Sequence, residues 1–140
     1  MKIYFHSEDR EIPEIDMIAV KEVAMKFCNE MGKKAGDINF IYCSDDYLLD
    51  INRRYLNHDY FTDIVTFNYN EEDIISGDIY MSRDRIEDNS RELGEDEMKE
   101  FVRVCGHGLL HLLGFNDGTD EEKVKMRKEE ERFINEVRDF

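Results

Sequence analysis

The stretch from Asp96 to Leu113 constrains this chain more than any other. Met98, Phe101, Val102, Cys105, Leu109 and Leu112 recur there at helical spacing. Gly114 follows, a residue able to take the left-handed backbone that ends a helix and turns the chain back. Into this apolar helix are set His107 and His111. Residues four apart share a helix face, with Cβ atoms about 5–6 Å apart, so the two imidazoles can converge on one point. Asp117, three residues past the glycine, falls where its carboxylate can swing under that point. The pattern H-x-x-x-H-x-x-G-x-x-D thus offers three ligands to an ion about 2.0–2.2 Å from each donor and leaves a fourth tetrahedral position open, as in a catalytic rather than a structural zinc. A reading without metal must treat two carbonyl-bonded core histidines, a plain C-cap and an ordinary aspartate as coincidences at matched spacing. Cys105, on another face, reads as core. His6 and His58 are isolated.

The rest of the chain supplies a sheet and its cover. Lys2 to His6 alternates in polarity and reads as a strand. Asp16 to Met31 reads as a helix, with Val20, Val23, Phe27 and Met31 inward and Gly32 as its stop. Ile38 to Cys43 is a second strand, and a right-handed crossover makes the two strands parallel. Ser44, ahead of Asp45 and Asp46, caps a helix carrying Leu48, Ile51 and Tyr55 on one side. Asp63–Tyr69 and Asp78–Met81 read as a hairpin around a polar turn containing Gly77. Ser82 to Leu93 is a short polar helix. Thr119-Asp120-Glu121-Glu122 is a capping box opening a last helix with Met126, Phe133, Ile134 and Val137 inward. One proline, no linker and no repeat give no domain boundary. The expectation is a single α+β domain over residues 1–140, a small mixed sheet covered by about five helices with a zinc-hydrolase-like metal helix.

Composition narrows the partners. No apolar run approaches the roughly 20 residues of a membrane span, and the N-terminus lacks the apolar core of a secretion signal. Three scattered cysteines, Cys28, Cys43 and Cys105, suit buried thiols in a reducing compartment, so a cytoplasmic protein is expected. With 34 acidic against 19 basic residues the formal net charge is −15. Nucleic-acid binders usually carry the opposite excess, because phosphate neutralisation supplies most of their non-specific affinity. Composition alone therefore argues against a nucleic-acid substrate.

The histidine spacing equals that of the long zinc-protease motif, with one deletion. Those proteases place a glutamate after the first histidine to activate water; here the residue is Gly108, which accepts no proton. The run His107-Gly108-Leu109-Leu110-His111-Leu112-Leu113-Gly114-Phe115 is similar to the H-G-x-L-H-L-x-G-Y-D-H hallmark of the YbeY family of ribosomal-RNA maturation endoribonucleases. Upstream, Leu49 to Tyr55 and Asp59 to Phe67 resemble that family's L-N-x-x-Y…D-x-x-T-D-V-L-S-F segment. Gly77-Asp78-Ile79 resembles its G-D-I strand, and Met126 to Glu130 its M-x-x-x-E. There are two departures: the family's third histidine ligand falls at Asp117, and the arginine after its Asn-x-x-Tyr element is Leu56.

The resemblance implies a single-strand-specific, zinc-dependent endoribonuclease with one Zn2+ ion per chain, held by His107, His111 and Asp117. It implies action on precursor ribosomal RNA, in 16S rRNA 3′-end maturation and late ribosome quality control, with the ribosome or small-subunit proteins as partners and no membrane. Arg53, Arg54 and His58 are the cations that can stand in for the missing arginine in binding substrate, followed by Arg83, Arg85 and Arg103. Asp63 and Asp78 are candidates for groups behind the ligands, and no general acid or base is assigned. Two other readings stay open: a metallohydrolase of peptides or small molecules, and a non-catalytic ribosome-assembly module with a structural metal.

Overall fold

The computed structural model describes residues 3–12, 17–58 and 62–137. Lys2 and Asp16, and Asp59 to Phe61 of the upstream motif, lie outside them. The elements run β1 (Ile3–Ser7), α1 (Met17–Glu30), β2 (Lys34–Cys43), α2 (Asp45–Leu56), β3 (Ile64–Asn68), β4 (Ile74–Ser82), α3 (Arg83–Leu93), α4 (Glu97–Leu112) and α5 (Asp120–Val137). The four strands form one mixed sheet in the order β1-β2-β4-β3. β1 and β4 run parallel to β2, while β3 pairs antiparallel with β4 as an edge.

Side-chain alternation along the strands separates two faces. Ile38, Phe40 and Tyr42 of β2 and Ile75, Ile79 and Met81 of β4 join the main core with α1, α4 and α5. Cys43, Val65, Phe67 and Tyr80 point the other way, onto Leu48, Tyr47 and Ile51 of α2. All three thiols are buried and unpaired. The caps follow the expected chemistry: Ser44, Ser82 and Asp96 each accept a backbone N–H in the first turn of α2, α3 and α4. Thr119 and Glu122 exchange the two hydrogen bonds of the capping box at α5, 3.0 and 3.1 Å long.

Four local expectations are corrected. Gly77 is not in the hairpin turn but inside β4, opposite Asn68. The turn lies at residues 69–73, where Glu72 takes the left-handed backbone at φ 51°. A Cβ at position 77 would stand 2.5 Å from the Phe67 carbonyl oxygen and 2.9 Å from Leu112 Cδ2, so a side chain there would push α4 off the sheet. Met31 lies beyond the end of α1 and is exposed, as is Tyr55 on α2. β2 begins at Lys34, four residues earlier than its apolar run, because Lys34 and Ala35 pair with Ile74 and Ile75.

Candidate metal centre

α4 lies on the sheet with almost every residue from Glu100 to Leu112 buried, and only His107 and His111 on its inner stretch remain partly open. The helix stops where Gly114 takes φ 98° and the Phe115 N–H returns to the Leu110 carbonyl at 2.9 Å. That reversal has two chemical results. The Phe115 carbonyl accepts a hydrogen bond from His111 Nδ1 at 3.1 Å, and Asp117 comes back beneath both rings.

His107 Nε2 lies 3.0 Å from His111 Nε2. Asp117 Oδ2 lies 3.4 Å from the first and 3.6 Å from the second. A tetrahedral divalent ion with bonds of about 2.0–2.1 Å separates its ligand atoms by roughly 3.3–3.4 Å. The triangle therefore matches the base of such a site, and His107, His111 and Asp117 form a group that could hold a metal ion.

Protonation supports the same assignment. His107 Nδ1 is 2.5 Å from Glu130 Oε2, a buried carboxylate on α5. With Nδ1 of each ring donating, both Nε2 atoms present lone pairs to each other at 3.0 Å. Such a contact is repulsive without a proton or a cation between the rings. Burial lowers the pKa of both imidazoles. At His107 the hydrogen bond to Glu130 and the charges of Glu130, Asp63 and Asp117 outweigh burial and raise it. At His111 burial and the neighbouring His107 charge keep it low. A carboxylate behind a metal-binding histidine fixes its tautomer and raises its basicity.

Glu130, which the sequence marks only as the last residue of the M-x-x-x-E resemblance, stands directly behind His107. Its signal was an acid set within the apolar stripe of α5, between Met126 and Phe133. Replacing it with the isosteric glutamine keeps the hydrogen-bond acceptor and removes the charge. Metal affinity is expected to fall about 10–100-fold, measured by competition with a chromogenic chelator, with the metal-free melting temperature little changed. Unchanged affinity would leave Glu130 as a mere helix-pairing contact.

Beside His107 opens a cavity of about 320 Å3 whose wall includes Asp63, Asn89, Glu100 and Arg103. Asp63 accepts from Asn89 Nδ2 at 3.4 Å. Asp78 is on the other face of β4, accepting from Asn39 at 3.1 Å, and is not part of this centre. Arg103 is buried and spent on Glu95, Glu100 and Glu131 at 2.8, 2.5 and 3.0 Å. Burial opposes its charge, and these three carboxylates hold it protonated. Arg83 and Arg85 are paired with Glu87 and Asp45. Arg53, Arg54 and His58 belong to α2 and the residues after it, across the sheet from α4. Arg54 pairs with Asp50 and lines a separate groove with Tyr47, Tyr55 and Tyr80. None of the three lines either cavity at His107.

The fold and this centre define a class: an α+β protein with a His-His-Asp group able to hold a metal ion at the C-terminal end of a core helix. Comparison with known proteins narrows it. The family model described as Endoribonuclease YbeY matches residues 2–138. A Parabacteroides distasonis protein named Endoribonuclease YbeY is 42% identical over 134 residues, covering 96% of this chain and 94% of the relative. One from Azobacteroides pseudotrichonymphae with the same name is 39% identical, with 99% of each chain covered. A Thermotoga maritima protein solved in solution superposes with a TM-score of 0.67 at 27% identity, covering 96% of this chain and 88% of that one. The chain belongs to the YbeY endoribonuclease family. Among the described residues no helix is long and apolar enough to cross a membrane.

Proposed function

We propose that the chain is a cytoplasmic, single-strand-specific endoribonuclease that works with one zinc ion on precursor ribosomal RNA. In this reading it acts in 16S rRNA 3′-end maturation and late ribosome quality control. The observation that carries it is the open side of the ligand triangle. His107, His111 and Asp117 are each partly exposed, and two cavities open beside His107, one of them also lined by Asp117. The bound ion supplies Lewis-acid chemistry to a phosphoryl oxygen.

The protein's own part is positional. Glu130 and the Phe115 carbonyl hold the two rings with Nε2 turned to the site. Asp63 and Glu100 line the adjoining cavity, and Arg103 fixes Glu100. No carboxylate occupies position 108, which disfavours peptide hydrolysis. At net charge −15 the protein gains little long-range attraction for RNA. The ribosome or small-subunit proteins supply the missing contacts, and binding to isolated RNA is weak.

A labelled single-stranded RNA is expected to be cleaved by the zinc-loaded protein and left intact after chelation, while the matching duplex and casein survive both conditions. Metal-dependent digestion of casein with intact RNA would replace this reading by the peptidase one. A full complement of metal with neither activity would favour the assembly module.

A further inference from the structure

The cation that the Leu56 position lacks has to be found elsewhere, and α5 provides two. A second cavity of about 210 Å3 at the metal centre is lined by His107, Asp117, Lys123, Met126, Arg127 and Glu130. Lys123 and Arg127 stand four apart on α5, so their side chains rise from one helix face about 5–6 Å apart. Both residues are exposed. Arg127 also lines the larger cavity and so spans the two openings beside His107. Its guanidinium is not spent. The ion-pair partner it has in the structure, Glu130 Oε1, is 3.8 Å away, outside hydrogen-bond range, and the other oxygen of Glu130 is taken by His107. Lys123 makes no side-chain ion pair among the described residues. The other cation lining these cavities, Arg103, is already held by three carboxylates.

We infer that Lys123 and Arg127 form the phosphate-binding subsite of the metal centre, gripping the RNA backbone next to the phosphodiester that faces the metal. The inference rests on the endoribonuclease reading and deepens it. It gives a strongly acidic protein a local way to hold a polyanion. Two cations and a divalent ion meet in one cleft while the remaining surface repels RNA. Arg127, which can offer two parallel N–H donors to one phosphate, sets the orientation. Lys123 adds charge.

The test is fluorescence anisotropy on a short single-stranded RNA in chelator, so that nothing is cleaved, at several salt concentrations. Wild type is expected to show a shallow log–log salt slope, of about −1.5 to −3, since only a few phosphates are neutralised. The Lys123→Ala/Arg127→Ala double variant is expected to flatten that slope by about 1.4, at roughly 0.7 per single-strand phosphate contact, and to weaken binding about 10–30-fold near 0.1 M salt. Its metal content should equal that of wild type, and Arg127→Lys alone should keep the slope. The control is Lys125→Ala/Lys128→Ala, which removes the same charge from exposed positions of α5 outside both cavities. Equal weakening by the control would overturn the subsite in favour of a general charge effect. Wild-type affinity in the double variant, or loss only in Arg53→Ala/Arg54→Ala, would overturn it in favour of a site elsewhere. A wild-type protein that neither binds nor cleaves single-stranded RNA would end both this inference and the endoribonuclease reading.

Discussion

Replacing His111 with alanine is expected to lower metal affinity by on the order of 10²–10³-fold and to abolish metal-dependent RNA cleavage at micromolar metal. The size follows from dividing the roughly 10–16 kcal/mol of a four-ligand zinc site among its ligands, about 2.5–4 kcal/mol each. His111 supplies one edge of the triangle at 3.0 Å and another at 3.6 Å, so its loss leaves His107 and Asp117 alone. The fold should survive. Alanine is the best helix former, the side chain removed is about a quarter exposed, and it takes with it a single hydrogen bond, to the Phe115 carbonyl. The variant's metal-free melting temperature should therefore lie close to that of wild type. Elemental analysis, cleavage and a metal-free melt test this together. Wild-type metal content in the variant would remove His111 from the ligand set.

The parts of this centre that were legible in the sequence are those made by local geometry. Helical spacing places His107 and His111 on one face, and a glycine at a helix end turns Asp117 back beneath them. Both are consequences of a few consecutive dihedrals. Glu130 belongs to another helix, 23 residues from its partner. The M-x-x-x-E resemblance marks it, but its meaning depends on how α5 lies against α4, which helical spacing does not record. Seen along α5 alone it is an acid interrupting an apolar stripe. Gly77 shows the same limit from the other side. A glycine among polar residues reads as a turn, yet this one is required by the approach of Leu112 and the Phe67 carbonyl. The turn itself is made by Glu72 at positive φ, a residue type that seldom signals one. The parallel β1–β2 pair followed from the crossover rule, whereas the sheet order and the early start of β2 did not. Lys34-Ala35-Gly36-Asp37 has the composition of a loop and is made strand by pairing with β4.

Gly108 is where the protease comparison meets the fold, and Gly108→Glu is expected to unfold the protein rather than to create a peptidase. An ideal Cβ at position 108 would stand 2.6 Å from Ile79 Cγ2 and 2.9 Å from Ile64 Cδ1. Ile79 is fully buried, so the position faces the sheet, and α4 reaches its seat on β3 and β4 only because nothing is there. A glutamate would first have to push the helix away from the strands, and overpacking of that kind costs about 1–3 kcal/mol. It would then bury a carboxylate among isoleucines with no donor beside it, adding several kcal/mol more. Together these approach the roughly 5–15 kcal/mol by which a domain is stable at all. Because the ligands ride on the same helix, the metal centre is lost with the fold. Gly108→Ala isolates the first cost, with the better helix propensity of alanine returning about 1 kcal/mol, and should melt a few degrees below wild type. Soluble expression, circular dichroism and a thermal melt of the two variants decide the matter. A Gly108→Glu protein that melts with wild type would mean that the helix sits farther from the sheet than these contacts require. If that variant also digested casein, the missing carboxylate would be the sole barrier between this centre and peptide hydrolysis.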